Sequence, residues 1–334
     1  MGRESVLLIS LGRSPAVVTE TVDALLDRGI RPKRVYLVTT GDETILNECI
    51  PLLRKEFDRI YKPKGIELRP YDCILSQNDI YTAEDNIELM GLVAGLLKRE
   101  QNNDILLSMA GGRKTMSAAM ALLAQIYNVK AITHVLVPPE IEAEGNIWNL
   151  LKISEPSERA KILHPEERRL IFFPVIGISW MLNDMIRALR GEVKDVRISV
   201  LETLKTSGLL DEENHPTLFA QELLKILEDI ESFPMPSSLN PAEKIKISHP
   251  ENLPKSANKF IQKLANIPFV TKIRDIEFIN SSESRVREPE SDGSIICQYS
   301  DKQKAVKLHM STTAPTRGQA RWIQRAIISL VWRT

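Results

Sequence analysis

Residues 107–116 read LSMAGGRKTM, a short apolar run that ends in two glycines and two cations, with the helical pattern TMSAAMALLAQIY starting at once. Gly111 and Gly112 remove side chains where a backbone has to come close to a ligand. Arg113 offers a planar fork of donors and Lys114 a mobile point charge suited to a phosphate. The free N–H groups and the dipole of the following helix favour an anion at the same spot. A second loop, LGRSPAVVTE at residues 11–20, sets Gly12, Arg13 and Ser14 directly ahead of another helix with Pro15 in its first turn. Two converging helix ends with hydroxyl and cationic side chains make a phosphate site. It is neither the G-x-x-x-x-G-K-[ST] loop nor the G-x-G-x-x-G fingerprint. Read alone, GGRK also fits a tight turn with two exposed cations.

A different set of groups lies near the end of the chain: Arg285, Arg287, Lys302, Lys304, Lys307, His309 and Arg317. Cleaving RNA without a metal needs the 2′-hydroxyl deprotonated, the phosphorane stabilised and the leaving oxygen protonated. Lys307 and His309 lie two apart on one strand pattern and share a face; Arg285 and Arg287 do so too if their segment is extended. A lone strand histidine has a structural role as its plainer reading. No Asp/Glu cluster has metal-ligand spacing, so neither a metal nor a cofactor is expected.

The elements that must position these groups follow from hydrophobic periodicity. Strands are expected at residues 5–11, 35–40, 66–75, 104–110 and 131–137, alternating with helices at 15–28, 43–57, 82–99 and 115–127. Thr82 is placed as a helix cap, with Asp85 three residues on. Such alternation predicts an α/β, doubly wound parallel sheet over residues 1–150, whose ligands bind beyond the carboxyl ends of the strands. Both glycine-bearing loops fall at those ends. Residues 168–180, RRLIFFPVIGISW, are apolar with little alternation, and 196–210 and 216–231 carry helical periodicity around a turn with Gly208. FPMPSSLNP (233–241) reads as a linker. Beyond it the pattern gives a strand at 244–248, a helix at 253–267, a strand at 274–282, a hairpin of 294–300 with 304–312, and a closing helix. That is a small α+β domain with a mainly antiparallel sheet.

The formal net charge of zero hides an asymmetry. Residues 240–334 hold 16 Lys and Arg against 9 Asp and Glu, while the other 239 residues hold 28 against 35. A basic module on an acidic scaffold is a candidate for contact with nucleic acid. No apolar run reaches the ~18 residues that span a bilayer. Cys49, Cys73 and Cys297 are too far apart to suggest a disulfide framework or a zinc site. A soluble protein of the reducing cytoplasm, with no signal peptide and no membrane partner, is the expectation.

LGRSPAVVTET together with the strand-then-GGRKTM pattern resembles the CARF domain of CRISPR-associated proteins, in the branch that includes ring nucleases. The resemblance covers residues 1–150 and implies a Rossmann-like domain that pairs as a homodimer and binds cyclic oligoadenylate, most often the tetra-adenylate. It maps Ser14 and Lys114 to ligand-binding positions, with Gly12, Arg13, Gly111, Gly112 and Arg113 lining the same pocket. In ring nucleases the equivalents of Ser14 and Lys114 also support slow, metal-free ring cleavage. The order of elements over 243–330 resembles the RelE toxin fold, whose members cut messenger RNA in the ribosomal A site with basic residues. Arg285, Arg287, Lys307, His309 and Arg317 are the catalytic candidates on that resemblance. The arginine usual at the start of the third strand is replaced near Ser294-Ile295, and the basic residue after the last strand is displaced past Thr312 and Thr313 to Arg317.

The architecture expected is therefore a sensor over 1–150, a helical, winged-helix-like middle over 151–236 and a RelE-like RNase over 243–334. This resembles the CRISPR-associated mRNA interferases. Its implied activity is that of a type III CRISPR effector: cyclic tetra-adenylate, as activating ligand, releases an endoribonuclease that acts on mRNA at the ribosome. One alternative is a stand-alone ring nuclease. Another is a ligand-controlled transcription regulator, although residues 216–231 carry Glu222, Glu228, Asp229 and Glu231 against Lys225, unlike a basic recognition helix.

Overall fold

Short runs of Val, Leu and Ile, apolar on both faces, can only be satisfied between two helical layers. The computed structural model describes residues 3–332 apart from Asn128, Lys255, Lys302 and Gln303. Its first part comprises β1 (Ser5–Ser10), α1 (Ala16–Asp27), β2 (Pro32–Thr39), α2 (Ile50–Glu56), β3 (Glu67–Ile74), α3 (Ala83–Arg99), β4 (Asp104–Ser108), α4 (Lys114–Ile126) and β5 (Ala131–Leu136). Three short helices follow, α5 (Pro139–Glu144), α6 (Ile147–Leu150) and α7 (Pro156–Leu163), and then β6 (Arg169–Phe173). One sheet results, in the order β3-β2-β1-β4-β5-β6, parallel from β1 to β5. Leu7, Ile9, Val35 and Leu37 pack under α1 and α2, while Val6, Leu8, Tyr36 and Val38 pack under α3 and α4. The Thr82 cap is present: its hydroxyl accepts from the Asp85 N–H at 3.1 Å, and Asp85 accepts from the Thr82 N–H at 2.9 Å.

The sheet continues past residue 150. β6 lies antiparallel beside β5, with Leu170 opposite Val135. Leu170 is buried while Ile171, Phe172 and Phe173 remain partly exposed, which is why this edge strand shows so little alternation in sequence. The expected helix at 43–57 is regular only in α2 and is flanked by wider turns at 45–49 and 57–61. Pro51 lacks the N–H that would bond back to Asn47.

The middle holds α8 (Leu182–Leu189), α9 (Ile198–Thr206) and α10 (Leu218–Glu231), packed through Met185, Val200, Leu204 and Leu227. Among the described residues, no strand lies between α10 and the module that begins at Pro241, so α10 has no wing directly after it. Two of its acidic side chains are engaged: Glu228 pairs with Arg190 at 2.8 Å, and Glu231 with Lys98 of α3 at 2.7 Å. FPMPSSLNP is not a free linker. Phe233 and Pro236 sit over Gly91 and Gly95 of α3, where a Cβ on Gly91 would collide with the Phe233 ring. The same ring meets Phe269 and Trp322, each with centroids 5.2 Å away, so one apolar core runs from the first sheet into the last module.

That module contains α11 (Pro241–Lys244), α12 (Ala257–Asn266), β7 (Val270–Ile279), β8 (Arg285–Val286), β9 (Ile295–Ser300), β10 (Ala305–Thr312) and α13 (Arg317–Trp332). Its sheet runs β7-β10-β9-β8, with antiparallel pairs throughout. Phe260, Ile261 and Leu264 of α12 and Ala320, Ile323 and Ile327 of α13 cover one face. The expected strand at 244–248 is reduced to a single bridge of Ile245 with Ile273. Asn240 and Glu243 cap a helical turn there, and the buried Lys244 ammonium donates to the Ile267 carbonyl at 2.9 Å.

Candidate functional site

β1 and β4 are neighbours, but the chain leaves β1 towards β2 and leaves β4 towards β5. The loops after them therefore diverge at the switch point of the sheet, where a crevice has to form. Gly12 and Gly112 face each other across it: a Cβ on Gly12 would stand 3.3 Å from the Gly112 backbone. A Cβ on Gly111 would strike the Ser10 carbonyl, and Gly112 has a φ of +78°. The Ser10 hydroxyl donates to the Gly111 carbonyl at 2.6 Å. The glycines are thus required first by the approach of one loop to the other, and the ligand space lies on either side of that approach. The Ile147 N–H, opening α6, donates to the Arg13 carbonyl at 2.8 Å and fixes the first loop from outside.

On one side is a cleft of about 340 Å³ lined by Gly12, Arg13, Asp42, Asp79, Gly112 and Arg113. On the other is a cleft of about 200 Å³ lined by Gly12, Arg13, Ser14, Glu20, Gly111, Gly112 and Glu142. Six of the seven expected residues thus line a pair of adjoining spaces. Lys114 is the first residue of α4 and is exposed beside Arg113, lining neither. A wider groove, about 540 Å³, lies beside Lys33, Arg54 and Arg69, away from both loops, so volume alone does not mark the site.

Both loop arginines already hold carboxylates. Arg13 pairs with Asp42 at 2.6 Å, and Arg113 meets Asp79 through two nitrogens, Nε at 2.9 Å and an Nη. Burial pushes the Asp42 carboxyl up, but Arg13 and the Ile45 and Thr44 N–H groups outweigh it and hold it below the usual range. An anion entering here meets two guanidinium groups whose partners it can replace. Glu20 differs: it is 3% exposed, and burial, followed by the nearby Glu142, pushes its carboxyl up to about 7. Asp42, Asp79 and Glu20 are the site residues that sequence reading misses. Only Glu20 leaves a trace there, as one of two acids, with Asp23, in the largely buried stretch AVVTETVDALL.

In the second sheet Val286, Leu308 and Cys297 face the core, so Arg285, Arg287, Lys307 and His309 lie on the opposite, open face. Lys307 is in register with Gln298, which is in register with Arg285. His309 is in register with Ile296, whose carbonyl accepts from the Arg287 N–H at 2.9 Å. The four candidates form two rows across strands about 4.8 Å apart. Lys307 is paired with Glu277 at 2.5 Å. Arg274 stands opposite His309; sequence reading misses it, although its alternation with the buried Ile273 gives it away. Burial first, then Arg274, lowers the His309 imidazole, and its buried Nδ1 has no hydrogen-bond partner. Lys304 serves the hairpin turn, its N–H donating to Asp301 at 3.0 Å. Arg317 opens α13, but its side chain, like all of Lys302, lies outside the described residues.

Asp211, Glu213 and His215 could converge on a metal ion, a cluster that the sequence expectation of no metal did not include. All three are exposed in the turn between α9 and α10, where Asp211 accepts from the His215 N–H at 2.7 Å as part of the turn itself. No helix among the described residues is long and apolar enough to cross a membrane.

Comparison with known proteins places this geometry in a context. The ring nuclease SSO2081 of a CRISPR system in Saccharolobus solfataricus is 28% identical over 130 residues, which are 39% of this chain and 70% of that protein. Among solved structures, Enterococcus italicus Csm6 bound to cyclic hexa-2′-fluoro-hexa-dAMP aligns with 13% identity and a TM-score of 0.37. That alignment covers 69% of this chain and 56% of the Csm6 chain, so this chain spans little more than half of the neighbour's length. The model of the family described as CRISPR-associated protein NE0113 matches residues 14–206, more than half of the chain, including Ser14 and the whole GGRK loop. The chain belongs to the CRISPR-associated protein NE0113 family.

Proposed function

We propose that the chain is a type III CRISPR ancillary effector of the CARF class. In this reading a homodimer binds cyclic oligoadenylate, the tetra-adenylate by preference, through Gly12–Ser14 and Gly111–Lys114 of each copy. The observation that carries it is the pair of clefts at the β1/β4 switch point, with Arg13 and Arg113 held on carboxylates that a phosphate can displace. Ring binding then governs the open face of the second sheet, a RelE-like, metal-independent endoribonuclease acting on mRNA at the ribosome. His309, held neutral beside Arg274, is suited to accept the 2′-hydroxyl proton. Lys307, Arg285 and Arg287 offer charge to the phosphorane. Translating ribosomes incubated with the protein test this reading. Messenger RNA is expected to be cut only when cyclic tetra-adenylate is present, and mRNA equally intact with and without the ring sinks it.

A second reading has its own support. Ser14 shares its cleft with a buried carboxyl, and the chain is similar over 130 residues to a protein named a ring nuclease. The N-terminal pocket is on this reading also a slow, metal-free ring nuclease, which limits the duration of its own signal. The engaged acids of α10 leave no comparable support for a DNA-binding role.

A further inference from the structure

We propose that Glu20 is the general base of the N-terminal pocket, taking the proton of a ring 2′-hydroxyl so that the ring cuts itself. The inference rests on the reading of this pocket as a ring nuclease and names the residue that such a reading lacks. Attack by a 2′-oxygen without a metal requires a group that can accept a proton near neutral pH. Arg13 and Arg113 cannot, because a guanidinium stays protonated. Ser14 has a hydroxyl, which binds and orients but is a poor base. Asp42 and Asp79 line the other cleft, across the Gly12–Gly112 approach from Ser14. Glu142 is exposed on α5. That leaves Glu20.

Its placement fits the task. Glu20 is in the second turn of α1, and a helical side chain leans back towards the N-terminus of its helix, here towards the loop that carries Ser14. The residue is 3% exposed, lines the cleft of about 200 Å³ with Ser14, Gly111 and Gly112, and has no hydrogen-bond or ion-pair partner among the described residues. The charged groups facing it are Glu142 from α5 and Arg13 from the β1 loop; the glycine-loop wall and the start of α1 present none. A buried carboxyl with nothing to satisfy it, open only to a cleft, is poised for a ligand. Burial and Glu142 bring its proton affinity to about pH 7, the range in which a base is most effective.

The step balances. The 2′-hydroxyl proton passes to the Glu20 carboxylate, and the 2′-oxygen forms a bond to the adjacent phosphorus. The P–O5′ bond breaks, and Glu20 returns the proton to the departing 5′-oxygen. The products are a 2′,3′-cyclic phosphate and a 5′-hydroxyl, with Glu20 restored. Arg13, which lines the same cleft, is the cation that can meet the charge building on the phosphorane.

Single-turnover cleavage of labelled cyclic tetra-adenylate by the full-length chain tests the assignment, alongside calorimetric binding of the same ring. The wild-type rate is expected to rise about tenfold per pH unit below pH 7 and to level off above it. Glu20→Gln is expected to bind the ring as wild type but to cleave it about a hundredfold more slowly or worse, with the pH dependence gone. Glu20→Asp should recover part of the rate. Cleavage by Glu20→Gln at the wild-type rate overturns the assignment, and so does a wild-type chain that binds the ring without cutting it. Failure of the wild-type chain to bind the ring is a separate result, and it overturns the reading of the pocket itself.

Discussion

A carboxyl buried beside a second carboxylate weakens a fold, and Glu20 in α1 is such a group. Its pKa in the folded chain, about 7, lies above the ordinary 4.5, so the folded state holds a proton that the unfolded chain releases. Stability contributed by that proton is fully present below pH 4.5 and is lost as the pH rises through 7, at a cost on the order of 3 kcal/mol. Denaturant unfolding should therefore find Glu20→Gln more stable than wild type at pH 8 and no different at pH 4. A difference that does not change with pH would show that the carboxyl is not desolvated. At this scale the sequence is a partial guide. Gly111, Gly112, Arg113 and Lys114 announce themselves because two glycines and two cations together interrupt the apolar sequence where a strand hands over to a helix. Their reasons differ from the expected ones, since Gly111 is held by the Ser10 carbonyl and Gly112 by its left-handed backbone. Asp42 and Asp79 lie 29 and 34 residues from their arginines and become partners only when the sheet brings four loops together.

Among the elements, the clearest contrast is between α3 and the proline-rich stretch after α10. The α3 cap and its apolar stripe are local signals, legible from a few residues around Thr82. The packing of FPMPSSLNP is not local: prolines mark it as a linker, and only the bare surface of Gly91 and Gly95, some 140 residues earlier in sequence, makes it a strap. The same reasoning covers β6 and the lost strand at 244–248. An edge strand needs no alternation, and a capped turn at Asn240 takes the residues that a strand would use. Gly91→Ala should push Phe233 out of its seat and destabilise the chain by about 1–3 kcal/mol. Limited proteolysis should then cut within 233–241. Unchanged stability together with an uncut strap would mean that Phe233 does not depend on the glycine.

Across the whole molecule, the charge asymmetry becomes spatial. The cations of the last 95 residues include a set facing outward from the second sheet: Lys272, Arg274, Arg285, Arg287 and Lys307. If that face meets RNA, replacing Arg285 and Lys307 by Ala should flatten the salt dependence of single-strand binding, by about 0.7 in log–log slope for each phosphate that is no longer neutralised. An unaltered slope would place the RNA elsewhere. In the first sheet, the crevice between the β1 and β4 loops is proposed to hold a cyclic oligoadenylate, and the rest of the functional reading depends on it. Titration calorimetry of the full-length chain with cyclic tetra-adenylate tests this most directly. Saturable binding of one ring per two chains is predicted, weakened at least tenfold (about 1.4 kcal/mol) by Lys114→Ala without a change in unfolding temperature. Heats no larger than dilution, or a Lys114→Ala chain that binds the ring as tightly as wild type, would contradict it.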